Sequence, residues 1–95
     1  DSAAVLDEAA AILRRFDLTD VTVAIEGHTD DDGSSDANLE LSQARAEAVR
    51  QGLIDRGIDT AAMVAVGYGD TRPIAPNDTP AHRALNRRIQ FGAGQ

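Results

Sequence analysis

The chain has 95 residues, enough for one small domain with a single modest core. It contains no cysteine, which excludes disulfides, thiolate metal sites and cysteine nucleophiles. Its formal net charge of −7 disfavours nucleic acid or an anionic membrane surface as the main partner, and a cationic or zwitterionic partner fits that charge better. No apolar run reaches the length of a membrane span, and no signal peptide is recognisable. We expect residues 1–95 to form one domain.

The first predicted element is an amphipathic helix at the amino terminus. Apolar residues recur at intervals of three and four from Val5 to Phe16, and either Asp1 or Ser2 can cap the helix. Such an apolar stripe has to cover a sheet.

A half-buried strand follows after a short loop. Val21, Val23 and Ile25 alternate with more polar residues up to Glu26, and Gly27 is predicted to end the strand. In α/β sheets, ligands collect beyond the carboxyl ends of the strands. The acidic loop 28–36 would lie at that position.

The second helix is predicted to run from about Ala37 to Arg56, with Asp36 as its cap and Gly57 as its stop. At about 100° per residue, Arg45 lies about 40° from Leu41, so it borders the buried stripe and can direct its head group along the rim of the sheet. The predicted buried stripe comprises Leu41, Ala44, Ala48, Val49, Gly52 and Leu53.

The last third of the chain predicts a strand, a short helix and a strand. Residues 63–68 alternate again after a crossover long enough for a parallel connection. Thr79 and Pro80 are a typical N-cap and first helical residue, residues 86–91 close the domain as a strand, and residues 92–95 are predicted to be a frayed tail. The predicted fold is α/β, with a mixed sheet of three or four strands and helices mainly on one face. If the final strand is antiparallel to the first, its basic start shares one rim with the acidic loop.

Several motifs in one order resemble the OmpA-like C-terminal domain family, the peptidoglycan-binding module also found in MotB and Pal proteins. The resemblance covers the chain from about Val21 onward. The matching motifs are Gly27-His28-Thr29-Asp30, Gly33, Asn38-x-x-Leu41-Ser42-x-x-Arg45-Ala46, Gly67-Tyr68-Gly69-Asp70, Pro73-Ile74-Ala75, and Asn77-x-Thr79 leading to Arg83-Ala84-x-Asn86-Arg87-Arg88.

The resemblance implies a βαβαβ-type sandwich that binds peptidoglycan without covalent attachment and without a cofactor, through the meso-diaminopimelate of the stem peptide. Such a domain anchors an envelope protein or the outer membrane to the cell wall. It would face the periplasm or the wall, held by an upstream membrane anchor that this chain does not include and not by inserting into the membrane itself. Family members usually have a strand before the first helix, which this chain lacks or has lost. Homodimer formation stays open.

The family's site residues carry over onto matching positions. Asp30 matches the acid that holds the amino group of diaminopimelate, and Arg45 matches the helix arginine that holds the carboxylate, for which a planar guanidinium offers two parallel donors. Further ligand contacts are expected at Thr29, Asn38, Asn86 and Arg87.

The residues alone also allow purely structural roles without a ligand. Asp30 could cap a turn and pair structurally with Arg45, and Asn38 could make a hydrogen bond at the helix start. His28 is predicted to order the loop by hydrogen bonding, and Gly33 to permit a positive φ.

Three other functions are a calcium site, an enzyme and a protein-interaction module. Asp30-x-Asp32-Gly33 overlaps a calcium loop, but that frame places His28 at position one and Leu39 at position twelve, so two ligands fail. The chain has no nucleophile elbow, phosphate loop or metal triad, so no enzyme is predicted. The alternative from another class is a protein-interaction module of the envelope whose charged rim binds a partner segment.

Overall fold

The computed structural model describes residues 2–94 and contains three helices, three strands and one short 3-10 turn in that range. This confirms the predicted α/β class with a mixed sheet, here of three strands. The elements are α1 (Ser2–Leu13), β1 (Val23–His28), α2 (Ser35–Ile54), the 3-10 turn Thr60–Ala62, β2 (Met63–Gly69), α3 (Pro80–Asn86) and β3 (Arg88–Ala93).

The sheet has the strand order β2-β1-β3, so β1 is central. β1 pairs in parallel with β2, starting from Val23 opposite Met63, and antiparallel with β3, ending at His28 opposite Arg88. The predicted parallel crossover is confirmed, and the final strand is antiparallel to β1. As a result, the acidic loop after β1 and the basic start of β3 lie at the same end of the sheet.

Helix α2 lies directly on the backbones of β1 and β2 because glycines face it there. A Cβ on Gly27 would lie 2.2 Å from the Ser42 carbonyl oxygen, and one on Gly67 would lie 2.4 Å from the Gln43 nitrogen. The predicted buried stripe of α2 is therefore rotated. Ser42 and Ala46 are fully buried, whereas Leu41 is 43% exposed.

The core lies between this helix layer and the sheet and is built from aliphatic residues and one methionine. α1 also packs on α2, with the Leu6 side chain lying against Gly52. The buried cluster comprises Ala10, Ile25, Ala46, Leu53, Ile58 and Met63.

Two polar side chains of α2 hydrogen-bond to the backbone of β2, an edge strand of the sheet. Gln43 donates from Nε2 to the carbonyl of Ala65 at 3.1 Å and accepts at Oε1 from the amide of Gly67 at 2.7 Å. Arg50, two turns further on, donates from Nε to the carbonyl of Met63 at 3.1 Å. The position of the helix along β2 is thus fixed by specific hydrogen bonds as well as by packing.

Several predicted boundaries differ from the structure. β1 starts at Val23 and continues through Gly27 to His28, because the ladder with β3 holds both residues. α2 starts at Ser35, and its cap is Ser34, whose hydroxyl accepts from the Ala37 amide at 3.1 Å. Asp36 is in the first turn of the helix and not at its cap.

The two ends of the chain also differ from the prediction. α1 stops at Leu13, short of Phe16, and the predicted cap at Asp1 lies outside the described residues. β3 continues to Ala93, and the Gly94 amide donates to the Thr22 carbonyl at 2.6 Å, so residues 92–94 are part of the folded domain. Gln95 lies outside the described residues.

Candidate functional site

The carboxylate of Asp30 is the centre of the site at the carboxyl end of β1. Asp30 is only 7% exposed. Its Oδ2 accepts from Nη1 of Arg87 at 2.7 Å, and its Oδ1 accepts from the backbone amide of Asp32 at 3.1 Å. The partner of Asp30 in this structure is therefore the arginine that precedes β3.

These contacts favour the ionised carboxylate. The hydrogen bond from Arg87 and the backbone amide of Asp32 lower the pKa of Asp30 below its usual value, against the opposing effect of burial, and the charge of Arg83 acts in the same direction. Asp30 thus carries a full negative charge near neutral pH, which a cationic group requires of its acceptor.

Thr29 and Asn38, both predicted ligand contacts, are buried and hold the backbone of the loop. Asn38 donates from Nδ2 to the carbonyls of Asp30 at 3.3 Å and Asp32 at 3.0 Å. The Thr29 hydroxyl donates to the Asp30 carbonyl at 2.8 Å, and the Thr29 amide donates to Gly69 at 2.9 Å. Both side chains determine where the Asp30 carboxylate points.

Asn86 is fully buried, and its amide is engaged by the segment before α3. Its Oδ1 accepts from the amides of Ile74 at 2.8 Å and Ala75 at 3.1 Å. Its Nδ2 donates to the carbonyl of Ala75 and to Oδ1 of Asn77, each at 2.9 Å. Asn86 therefore supports the residues around Arg87 and reaches the site only through them.

A second arginine, Arg83 of α3, also faces the acidic loop. Its Nη1 lies 3.5 Å from Oδ1 of Asp31, and its Nη2 donates to the carbonyl of Asn77 at 3.0 Å. Sequence reasoning did not single out Arg83. The four-residue spacing between Arg83 and Arg87 was the available signal, because residues four apart share one face of a helix.

Arg45 does not meet Asp30 in an ion pair. It is exposed and lines an open groove of about 820 Å³ with Val5, Ile89 and Phe91, among other apolar residues of α1, α2 and β3. The side chain of Arg45 makes no hydrogen bond or ion pair within residues 2–94. Ile89, which shares the groove with Arg45, is two positions from Arg87, about 7 Å along a strand. Arg45 and Arg87, both predicted ligand contacts, thus lie near the start of β3.

The prediction that His28 orders the loop by hydrogen bonding is wrong. His28 is 4% exposed, and neither of its ring nitrogens has a hydrogen-bond partner among the described residues. Its ring instead stacks on Tyr68, with the ring centroids 5.4 Å apart and an interplanar angle of 23°. The pKa of His28 is lowered, first by burial and then by the charges of Arg88 and Arg72.

Two features are not found among residues 2–94, a cluster of metal ligands and a membrane-spanning helix. Within residues 2–94, no group of three or more His, Cys, Asp or Glu side chains is arranged to hold a metal ion. None of the helices in that range combines the length and apolar composition needed to cross a membrane.

Comparison with known families decides the classification, because the model of the OmpA family matches residues 1–87. The chain belongs to the OmpA family. This OmpA-family domain is 38% identical over its whole length to the peptidoglycan-associated lipoprotein of Brucella melitensis. It is 44% identical over 72 residues, 76% of the chain, to the peptidoglycan-binding protein ArfA of Mycobacterium bovis.

Solved structures agree with this classification. The C-terminal domain of Helicobacter pylori MotB superposes with a TM-score of 0.88 at 29% identity, covering 98% of this chain and 71% of the MotB chain. The OmpA-family domain spans 57% of the Brucella lipoprotein and 22% of ArfA. It thus corresponds to one part of these longer proteins.

Proposed function

We propose that this domain binds peptidoglycan non-covalently, by holding the zwitterionic head group of diaminopimelate at Asp30, and thereby anchors an envelope protein or the outer membrane to the cell wall. The observation that carries the proposal is the buried, ionised Asp30 carboxylate on a rim lined by arginines. The printed names of two relatives, a peptidoglycan-associated lipoprotein and a peptidoglycan-binding protein, support the same ligand.

The chemistry of the head group matches the ion pair that the empty domain makes with itself. The free end of diaminopimelate carries an ammonium and a carboxylate on one carbon. The ammonium takes the place of the Arg87 guanidinium at Asp30, and the carboxylate accepts from the guanidinium so released. Both charges of the Asp30–Arg87 pair are then satisfied again, which reduces the desolvation cost of binding.

Arg45 supplies a second cation for the carboxylate. Its guanidinium makes no ion pair among residues 2–94, so engaging it breaks no internal contact. Its side chain lies along the groove beside β3, on the flank of the strand whose first residues adjoin the Asp30 pair. We expect its long, flexible side chain to turn toward the head group when the ligand binds.

The expected affinity for a single stem peptide is low. A charge-assisted hydrogen bond contributes about 1.5 to 3 kcal/mol, and salt screens an open rim. Strong attachment to the wall then comes from many domains bound to one polymer. Every functional contact in this account is a binding contact, and the polymer is not cut.

Sedimentation with purified sacculi tests the proposal. Asp30→Asn and Arg45→Ala should both leave the protein in the supernatant, while circular dichroism stays unchanged. Asp32→Asn, an exposed acid in the same loop, and Arg15→Ala, an exposed arginine after α1, are the matched controls and should still sediment. Sedimentation of both Asp30→Asn and Arg45→Ala at the level of the original protein would remove the assignment.

Competition separates wall binding from recognition of a protein segment by the same charged rim. Free meso-diaminopimelate at millimolar concentration should release the domain from sacculi. If the domain stays bound, the head group is not the element that it recognises.

A further inference from the structure

The ring of His28 lies at the point where β1 turns into the loop that carries Asp30. The pairing of β1 with β2 shifts register between Gly27 and His28, so His28 lies opposite Gly69. The next amide, that of Thr29, donates to the Gly69 carbonyl at 2.9 Å. Asp30 follows at once. Any movement of His28 therefore moves the backbone that positions Asp30 beside Arg87.

His28 is the first of three side chains that stack on one another, followed by Tyr68 and Arg72. Its ring lies on Tyr68, and the guanidinium carbon of Arg72 lies 3.8 Å from the centroid of the Tyr68 ring. Arg88 braces this stack, because its Nη2 donates to the Arg72 carbonyl at 2.9 Å. His28 thus contributes a flat surface, and its ring nitrogens make no hydrogen bond among the described residues.

We propose that His28 is a positioning residue for Asp30, whose uncharged ring fixes the end of β1 under Tyr68, and that protonation of this ring in mildly acidic conditions loosens the Asp30 loop. The effect on peptidoglycan binding rests on the proposed function. The effect on the loop does not.

The surroundings of the ring oppose its positive charge. Arg88, the neighbour of His28 on β3, and Arg72, above Tyr68, both carry positive charge, and burial acts in the same direction. Glu26, on the same strand, acts in favour of the charged ring, and its effect is smaller than those of burial and Arg88. Protonation therefore drives the ring out of the stack.

The sign of the pH effect follows from proton linkage. A histidine whose pKa is lowered in the closed loop binds fewer protons there than in the open loop. The closed loop is therefore fully favoured above the ordinary histidine pKa of about 6.5 and loses stability as the pH falls below it. Between that value and the lowered pKa, the equilibrium constant for opening rises by about tenfold for each pH unit.

Two substitutions separate ring shape from ring charge. His28→Phe keeps a flat ring for Tyr68 and cannot be protonated, so it should bind sacculi as well as the original protein at pH 7.5 and retain binding at pH 5.5. His28→Ala removes the stacking surface and should weaken binding about tenfold at both pH values, in proportion to the loss of binding-competent loop. The original protein should bind more weakly at pH 5.5 than at pH 7.5, and His82→Gln, at the other histidine, should show the same pH dependence.

A readout without ligand keeps this inference separate from the proposed function. Hydrogen exchange of the Thr29 amide should speed up as the pH falls in the original protein, after correction for intrinsic exchange, and not in His28→Phe. If no variant binds sacculi, the proposed function fails while this exchange still decides the role of His28. The role is overturned if His28→Phe loses binding as His28→Ala does, or keeps the original pH dependence of exchange.

Arg72→Gln provides a second, surface substitution. Removing this positive charge should raise the pKa of the His28 ring in the closed loop, measured by the NMR titration of its ring protons. Because the closed and open loops then differ less in proton binding, the loss of binding in acid should become weaker. An unchanged ring titration would contradict the electrostatic part of the account.

Discussion

Asp30 and Arg87 lie 57 positions apart along the chain, and their side chains meet at 2.7 Å. The antiparallel pairing of β1 with β3 brings them together, because it sets His28 opposite Arg88 at the end of the sheet. The acid at the centre of the site is thus occupied by a cation of the domain itself. The ammonium of the proposed ligand would have to replace that cation, so Arg87 would control both the charge of Asp30 and access to it.

Removing the Arg87 guanidinium should make the carboxyl group of Asp30 a weaker acid. In Arg87→Ala, the hydrogen bond that contributes most to the low pKa of Asp30 is lost, so this pKa should rise toward the ordinary value of about 3.9. An NMR titration of the Asp30 carboxyl carbon measures it, with Arg15→Ala as the control. An unchanged titration would mean that Arg87 does not determine the charge of Asp30.

The same ion pair predicts a pH dependence of stability. Because the pKa of Asp30 is lower in the folded state, its contribution to the free energy of unfolding is complete above about pH 4 and is lost as the pH falls further. Arg87→Ala should lose less stability between pH 4 and pH 2 than the original protein. Urea unfolding at several pH values measures this difference, and parallel curves for the two proteins would contradict it.

The contact of α2 with the sheet predicts a strong effect at Gly27. A Cβ there would overlap the Ser42 carbonyl, and neither backbone has room to withdraw, so Gly27→Ala should lower the free energy of unfolding by about 1 to 3 kcal/mol or more. Gly92→Ala is the matched control, because its Cβ would meet only the flexible carboxylate of Glu26 at 3.2 Å. Equal stabilities of the two variants would refute the close packing.

Asn86 predicts a loss of stability that is not a loss of a ligand contact. Asn86→Ala leaves the part-buried backbone amides of Ile74 and Ala75 without their acceptor, which should cost up to about 1 to 3 kcal/mol in total. Gln51→Ala, which removes an exposed amide bonded to Asp55, should cost much less. Urea unfolding of both variants provides the comparison. A stable Asn86→Ala that fails to bind sacculi would instead favour a direct contact.

Some local features of the fold were predictable from sequence, although the cap of α2 was not. The Thr79 cap before Pro80 is present as predicted, with the Thr79 hydroxyl accepting from the His82 amide at 3.1 Å. Gly33 and Gly57 have positive φ, as a loop and a helix stop require. These features depend on a few neighbouring residues, so a single sequence contains the information.

The buried face of α2 was not predictable from periodicity. An apolar stripe through Leu41 assumes a sheet that takes large side chains, but Gly27 and Gly67 give the sheet a surface that takes only Ser42 and its neighbours. The spacing of apolar residues does not report which glycines of distant strands lie beneath a helix. The same holds for Arg87, whose pairing with Asp30 depends on strand register.

Amidation of diaminopimelate predicts a change in affinity. An amide at the free end removes the carboxylate that Arg45 and Arg87 are proposed to hold. The amide is uncharged and has one acceptor oxygen, so it cannot accept two parallel hydrogen bonds from a guanidinium. Amidated muropeptide should therefore bind more weakly than the free acid, measured by isothermal titration calorimetry, and the difference should shrink in Arg45→Ala. Equal affinities in the original protein would contradict a role for that carboxylate.

The most direct test is a crystal structure of the domain soaked with meso-diaminopimelate. The account predicts density for the head group at Asp30, with its ammonium within hydrogen-bond distance of the carboxylate and its carboxylate facing the guanidinium of Arg45 or Arg87. An Asp30–Arg87 pair that stays closed at saturating ligand, or a head group bound elsewhere on the domain, would contradict the account.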